Sequence, residues 1–324
     1  ISSPGGTVLF APVASTIVVN DAPQPGTPPQ LALSELSGQG KLTPIGNSYT
    51  LDLGTLVQGQ ALAALQFALA NTATAPADAL GGSFTAPVGD GFTVIGTHLP
   101  APIAAGGRYS GIYAGVKTDT LGAHSETLSF APTDQNASGY DSALDAITLT
   151  ITDTVTAAAA AALNTPGSIV FGNQRLGDVA SQAISISNTA APGAAALDVT
   201  AGSSGDVTTS GSISGLAAGQ TDASSLSLAL DTSAAGLRSG VVTLAPLSSG
   251  ATPMALATAP QIDAFGTVYR QAEADPTPLA IVVHVGDPGV AALGITNGAA
   301  ADGYSETLVA SLASASGGFT IAPG

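Results

Sequence analysis

The stretch Gly167–Ala190, GSIVFGNQRLGDVASQAISISNTA, decides the fold of this chain. It contains a short apolar segment, a turn at Leu176-Gly177-Asp178, and a second segment in which Ile184 and Ile186 alternate with serines. Alternation with a period of two places one face of a strand on a core and the other face in water. The stretch therefore predicts two strands joined by a glycine turn.

Versions of this stretch occur earlier and later in the chain, about 110 residues apart. The end of the stretch, Asn188-Thr189-Ala190, has counterparts at Asn71-Thr72-Ala73 and Asn297-Gly298-Ala299. A glycine turn precedes each copy, and later segments of the unit recur as Ile103–Gly106 with Leu216–Gly219, Val116–Thr120 with Leu228–Thr232, and Leu128–Pro132 with Val242–Pro246. A unit of this length, with several short strands and Gly or Pro turns, is typical of an immunoglobulin-type β-sandwich.

We therefore predict an all-β chain of tandem immunoglobulin-like β-sandwich domains in an elongated array. Residues 1–41 are predicted to hold the terminal strands of a preceding unit and a Pro-rich linker, and 42–156 a first sandwich. Residues 157–270 are predicted to form a second sandwich, and 271–324 the first part of a third. The run Ala157–Ala162 is interpreted as a linker between units, because six alanines are too few for a stable helix.

The two ends of the sequence carry parts of units. Gly5–Pro12 resembles Gly240–Pro246, a late strand of the unit, whereas residues 271–324 carry only the beginning of one. One interpretation is a fragment of a longer array. The other is a head-to-tail polymer, in which the first strands of one copy complete the last unit of the next, because half a sandwich exposes unpaired strand edges.

The composition excludes several classes of partner and site. Six Lys and Arg against 22 Asp and Glu give a formal charge of −16, so nucleic acid and anionic membranes are not expected to bind. The absence of cysteine excludes disulfides and thiolate metal sites. No apolar stretch is long enough to predict a membrane-spanning segment. Few aromatic residues and no Trp favour thin sandwiches over a deep enzyme pocket.

Three segments together resemble a known family: FGNQRLGDVASQAISISNTA at 171–190, GLAAGQTDASSLSLALDTSAAGLRSGVVTLAP at 215–246, and GTVYR at 266–270. They are similar to the choice-of-anchor D repeats of bacterial surface proteins, within the Hydin-like (ASH) group of immunoglobulin-type domains. The resemblance covers most of residues 42–324. It implies tandem sandwiches exported to a Gram-negative surface, often in autotransporter-like or adhesin-like proteins. The loop Ala75–Gly89 and the hairpin Asp134–Asp145 depart from the pattern.

The hairpin Asp134–Asp145, DQNASGYDSALD, fits a calcium-loop pattern, with oxygen-bearing side chains at positions 1, 3, 5, 9 and 12 and glycine at position 6. The predicted calcium ligands are Asp134, Asn136, Ser138 and Asp145. Against this, the last position is Asp rather than a bidentate Glu, and no helices flank the loop. The matching segment Ser248–Thr252 has no acids. An ordinary polar hairpin therefore remains the alternative to a metal site.

Catalytic signatures are missing from the sequence. No nucleophile elbow, phosphate-binding loop or dinucleotide fingerprint occurs, and the three histidines have no partner at metal-ligand spacing. Asp119 and Asp231 occupy equivalent positions before turns, where an Asp side chain commonly bonds its own backbone. We therefore predict no enzymatic activity, no catalytic residue and no cofactor other than the calcium considered above.

Repetition without chemistry favours a structural function. We predict a stalk, surface layer or filament subunit outside a bacterial cell, whose partners are copies of itself or neighbouring repeats. The alternative is an adhesin that binds a glycan or a partner surface through the loops of the first sandwich, Ala75–Gly89 and Asp134–Asp145.

Overall fold

The computed structural model describes residues 25–321, so the strand predicted at Gly5–Pro12 lies outside the described residues. This part of the chain consists of β-strands, turns and loops, without a helix, which confirms the all-β prediction. Its strands, numbered in chain order, are β1 Leu31–Ser37, β2 Leu42–Ile45, β3 Ser48–Val57, β4 Leu65–Asn71, β5 Ala79–Phe84, β6 Val88–Gly89, β7 Phe92–Ile95, β8 Arg108–Val116, β9 Gly122–Gln135, β10 Asp141–Ala143, β11 Ile147–Thr156, β12 Ala161–Leu163, β13 Ser168–Arg175, β14 Ala180–Asn188, β15 Leu197–Gly205, β16 Val207–Gly211, β17 Ile213–Leu216, β18 Thr221–Leu230, β19 Gly236–Ser248, β20 Met254–Ala255, β21 Gln261–Tyr269, β22 Ala274–Pro276 and β23 Ile295–Asn297.

The chain divides into two compact units. The first comprises Ile1–Leu53, Leu62–Lys117 and Ala123–Asp153. The second comprises Gly54–Ala61, Thr118–Gly122 and Thr154–Gly324.

The first unit is built on two sheets. One has the strand order β1-β4-β8-β7; the other has the order β10-β9-β11-β3-β2, and β5 and β6 also pair with β9. Phe67 and Ile112 of one sheet and Phe130 and Ile151 of the other are almost fully buried. Strand β1 pairs with β4, so residues 31–37 belong to this sandwich although they precede the boundary predicted at residue 42.

The second unit contains a sheet with the order β12-β14-β18-β16 and a sheet with the order β13-β21-β19-β15-β17, with β20 on β19. Its core is one aliphatic cluster that includes Ile184, Leu197, Leu228 and Val242. The two strands of the stretch Gly167–Ala190 are β13 and β14, and they lie in different sheets. Strand β13 pairs in parallel with β21, whereas β14 pairs antiparallel with β18.

The predicted glycine turn is present in all three repeats. Its glycines, Gly59, Gly177 and Gly286, have φ angles of 77°, 84° and 100°, a region that favours glycine. The next residue donates its N–H to the carbonyl three positions earlier in each case: Gln60 to Val57 (3.1 Å), Asp178 to Arg175 (3.0 Å) and Asp287 to His284 (3.1 Å).

A buried asparagine ends the second strand of the repeat. Oδ1 of Asn188 accepts from the N–H groups of Ala160 (3.1 Å) and Ala190 (3.3 Å). Its Nδ2 donates to the carbonyl oxygens of Ala195 (3.1 Å) and Leu216 (3.0 Å). One side chain, 0% exposed, thus satisfies four backbone groups that the sheets leave unpaired. We call this arrangement the asparagine clamp.

The other two copies of the motif form the same clamp. Asn71 accepts from the N–H groups of Gln30 and Ala73 and donates to the carbonyls of Asp78 and Ile103. Asn297 accepts from the N–H groups of Glu273 and Ala299 and donates to the carbonyl of Glu306. The three asparagines matched in the sequence therefore have one structural role.

Residues 271–321, predicted to begin a third unit, carry the third copies of the glycine turn and the asparagine clamp. Only β22 and β23 occur in this segment, and they pair with each other. Its large apolar side chains lie in water, among them Val282 (97% exposed) and Val290 (88% exposed). Upstream, the alanine run predicted as a linker is extended, and its end forms β12, which pairs with β14.

Gly211 ends β16 with a φ of 83°, and a Cβ at this position would overlap the carbonyl oxygen of Ser225. We expect Gly211→Ala to lower the free energy of unfolding of the second unit by about 3 kcal/mol, because overlap adds to the cost of a left-handed alanine. Gly215 has a φ of 66° and open space around it, so Gly215→Ala carries only the backbone cost of about 1–2 kcal/mol. Urea unfolding of both variants tests this, and equal losses would contradict it.

Candidate functional site

The predicted calcium loop is a β-hairpin formed by β9 and β10. Asp134 lies opposite Ser142 in the ladder, and its side chain points inwards, with 4% exposed. Asn136 starts the tip, where its Oδ1 accepts from the N–H (3.0 Å) and the hydroxyl (2.7 Å) of Ser138. Asp145 is exposed and lies beyond the end of β10. The structure thus brings Asn136 and Ser138 together, but it separates Asp134 from Asp145, so the four-ligand site stays a prediction.

A residue outside the predicted loop, Asp78, joins this hairpin. Its Oδ2 accepts from Nδ2 of Asn136 (3.1 Å) and from the N–H of Gly26 (2.8 Å). Burial raises the pKa of Asp134, and the charge of Asp78 and a hydrogen bond between the two carboxyls raise it further. Sequence reasoning missed Asp78 because it lies 58 residues before Asn136. The sequence did hold one clue: Asp78 follows Asn71 at the position where the second repeat has an alanine after Asn188.

A second pair of ionisable groups lies in the core of the first unit. Nδ1 of His124 is 2.9 Å from Oδ1 of Asp153, with side-chain exposures of 4% and 0%. Burial raises the pKa of Asp153, whereas its hydrogen bond and charge interaction with His124 lower it. Burial likewise raises the pKa of the neighbouring Glu126. Because the pair is enclosed, it has no surface at which a substrate would meet it.

The loop Ala75–Gly89, a candidate binding loop, is mostly sheet. Residues 79–84 form β5 and residues 88–89 form β6, and both strands pair with β9. Residues 75–78 and 85–87 of this loop lie outside strands, as does the tip of the β9–β10 hairpin.

Within the second unit, a hairpin tip packs on residues 54–61. The N–H of Ala251 donates to the carbonyl of Thr55 (2.8 Å), and Nε2 of Gln60 donates to the carbonyl of Thr252 (2.8 Å). The N–H of Val57 donates to Oε1 of Gln60 (3.2 Å), which fixes the amide in place. We call Thr55, Val57 and Gln60 the first hairpin seat.

The repeat supplies a second hairpin seat, which consists of Asn173, Arg175 and Asp178. The N–H of Arg175 donates to Oδ2 of Asp178 (2.9 Å), as Val57 does to Gln60. These residues line an open depression of about 560 Å³. Glu306, at its edge, accepts from Nε of Arg175 at 2.6 Å. The side chains of the first hairpin seat are neutral, whereas Arg175 and Asp178 of the second seat are charged.

Among residues 25–321, no helix has both the length and the apolar character needed to cross a bilayer. The same residues hold no group of three or more His, Asp or Glu side chains arranged for a metal ion.

No family model matches this chain, and neither does any curated protein. Solved structures that match include the extracellular domains 3–5 of Drosophila OTK (13% identity, 71% of this chain and 62% of that one, TM-score 0.26). CfaE, the adhesive subunit of CFA/I fimbria of enterotoxigenic Escherichia coli, matches at 12% identity over 74% of this chain and 87% of that one, with a TM-score of 0.21. Fibronectin(III)-like modules of Clostridium thermocellum CbhA match at 11% identity over 74% and 95%, with a TM-score of 0.27. Likenesses this low carry no argument about function.

Proposed function

We propose that this chain is a non-enzymatic structural repeat protein outside a bacterial cell, where it serves as a stalk, surface layer or filament subunit. The observation that carries the proposal is the recurrence of the glycine turn and the asparagine clamp in all three repeats. The elements that recur hold the backbone together, whereas the ionisable groups change between repeats. What recurs from repeat to repeat is therefore the backbone architecture, and not a set of reactive side chains.

The two hairpin seats occupy equivalent positions in successive repeats. The first seat holds the tip Gly250–Thr252 through backbone and amide hydrogen bonds. The second seat has the same local hydrogen bond at Arg175 and Asp178 and is open. We propose that the second seat receives the corresponding hairpin of a further unit. Export to a Gram-negative surface follows from the resemblance to choice-of-anchor D repeats and is part of the proposal.

We further propose head-to-tail polymerisation, in which strands of one copy complete residues 271–321 of another. This segment exposes large apolar side chains, and among the described residues its only strands are β22 and β23. Unpaired edges and exposed apolar side chains favour the addition of strands from another chain. The proposed donor is Gly5–Pro12, because its sequence resembles the late strand Gly240–Pro246.

Sedimentation and electron microscopy of the full chain over a range of concentrations test this proposal. We expect fibres that lengthen with concentration, and we expect the double variant Val282→Asp/Val290→Asp to remain monomeric. Ile45→Asp is the matched control, because Ile45 is 69% exposed at the end of β2 and belongs neither to the second hairpin seat nor to residues 271–321. A wild-type chain that stays monomeric at every concentration, or a control that also prevents assembly, would reject polymerisation.

The alternative function is an adhesin that binds a glycan or a partner surface. With Ala75–Gly89 largely paired in β5 and β6, such a ligand would contact the hairpin tip between Asn136 and Tyr140. We favour the structural function, because the tip is held by its own hydrogen bonds.

A further inference from the structure

Asp78 and Asp134 form a buried acidic pair in the first unit. Asp78 is 9% exposed and Asp134 is 4% exposed. Both approach the same point, because Asp134 lies opposite Leu80 in the β5–β9 ladder and Asp78 is two residues before Leu80. Two carboxylates that meet in a buried place repel each other unless a proton or a cation lies between them.

One oxygen of this pair lacks a partner. Oδ1 of Asp134 is buried and has no hydrogen-bond donor. On Asp78, Oδ2 accepts two hydrogen bonds, from Gly26 and from Asn136, which orient the carboxylate. A buried carboxylate oxygen without a donor is costly, and it is the kind of ligand that a hard cation prefers.

The second unit provides an internal comparison. The clamp of Asn71 donates to the carbonyl of Asp78, and the clamp of Asn188 donates to the carbonyl of Ala195. Ala195 therefore occupies the position of Asp78. Ser248, at the position of Asp134, is fully buried, and its hydroxyl accepts from the N–H of Ala159 at 2.8 Å. The same two places are thus neutral and satisfied in one unit, but acidic in the other, where Oδ1 of Asp134 is left without a donor.

We propose that a divalent cation of the calcium type binds between Asp78 and Asp134, with water completing its coordination shell. Asn136 holds Asp78 in position through its amide group and is not itself a ligand. This site shares Asp134 with the loop predicted from the sequence but leaves out Ser138 and Asp145. Two protein carboxylates and water give a weak site, with a Kd of about 10⁻⁴ to 10⁻³ M, the range of extracellular modules.

Calorimetry of the full chain after chelator treatment, with and without calcium chloride, tests this site. We expect calcium to raise the melting temperature of the first unit by several degrees and to leave the second unit unchanged, because binding stabilises only the state that holds the site. Chelator should reverse the shift. The two transitions are assigned with Asn188→Ala, which lowers that of the second unit.

Two variants separate this site from the predicted loop. Asp134→Asn removes the repulsion, so it should fold and should no longer respond to calcium, whereas Asp145→Asn should respond as the wild type does. Direct calorimetric titration of the wild-type chain with calcium should give one site. No calcium response at millimolar concentration would overturn the proposal in favour of a shared proton. Loss of the response in Asp145→Asn would overturn it in favour of the loop.

Discussion

Asn188→Ala is expected to lower the free energy of unfolding of the second unit by about 3–5 kcal/mol. The variant leaves the N–H groups of Ala160 and Ala190 and the carbonyls of Ala195 and Leu216 without their partner. Each buried polar group that loses its hydrogen bond costs about 1–3 kcal/mol, and some of the four will recover a water. Urea unfolding measures the loss directly.

Asn297→Ala is the matched control for this prediction. Asn297 makes three of the four clamp bonds, but its side chain is exposed, so water can replace them. We expect its effect on unfolding to stay below about 1 kcal/mol. If the two alanine variants lost equal stability, burial of the clamp would not be the source of its strength.

Asn188→Asp separates the two halves of the clamp, which are the hydrogen bonds that the side chain accepts and those that it donates. The aspartate keeps an oxygen for the N–H groups of Ala160 and Ala190, but it loses the amide that donates to Ala195 and Leu216 and faces their carbonyl oxygens instead. Any stability that Asn188→Asp retains over Asn188→Ala is a lower limit on the contribution of the accepting half, since the buried charge and its repulsion from the two carbonyls subtract from it.

The sequence was sufficient to predict the repeat because local geometry imposes it. A residue with φ near 80° after the first strand requires glycine, and an asparagine that satisfies four buried backbone groups has no close substitute. Both requirements recur at the same positions, so aligning Asn71, Asn188 and Asn297 identified the repeated turn and the strand that follows it.

The repeat pattern could not predict which distant segments pair with each other. The pattern of Gly167–Ala190 identified two strands, but not that β13 would pair in parallel with β21 in one sheet while β14 pairs with β18 in the other. Alternation with a period of two shows which face of a strand is buried, but it does not show which strand lies beside it. For the same reason β1 was placed outside the first sandwich: its counterpart β12, which pairs with β14 as β1 pairs with β4, is a strand of only three residues.

The candidate sites were predictable only as departures from the repeat. Asp78 stands where the second unit has Ala195, and His124 stands where it has Arg238, which is bonded to Asp206 instead. Such departures mark positions where the first unit differs in chemistry. They do not name the partner, because Asp153 is 29 residues from His124 and meets it only through the register of β9 and β11.

His124→Ala is expected to lower the free energy of unfolding of the first unit by about 3–5 kcal/mol near pH 7. The side chain of His124 supplies the only hydrogen bond described for the carboxylate of Asp153, whose Oδ2 is buried and without a donor. Removing one member of a buried pair leaves an uncompensated charge, which accounts for a loss of this size. The acidic neighbours Asp90 and Asp52 add to the penalty, because both raise the pKa of Asp153.

The loss should depend on pH in a defined direction. Burial already raises the pKa of Asp153 above its ordinary value, and His124 opposes that rise, so the variant raises the pKa further. A group whose pKa is higher in the folded state stabilises the fold below its unfolded pKa, and that stabilisation is lost as pH rises through the folded value. Acidification from pH 7 towards the ordinary pKa of an aspartate should therefore reduce the difference between His124→Ala and the wild type.

Two further variants separate the effect of the unpaired charge of Asp153 from the effect of the lost volume of the imidazole. His98→Ala removes an exposed histidine and should leave stability unchanged, which controls for the removal of an imidazole elsewhere in the unit. The double variant His124→Ala/Asp153→Asn removes the charge as well, so it should recover stability at pH 7 and lose the pH dependence. A part of the loss that persists in the double variant belongs to the cavity left by the ring. Were the loss in His124→Ala the same at pH 5 and pH 7, the cavity alone would explain it, and the buried carboxylate would not be ionised in the native protein.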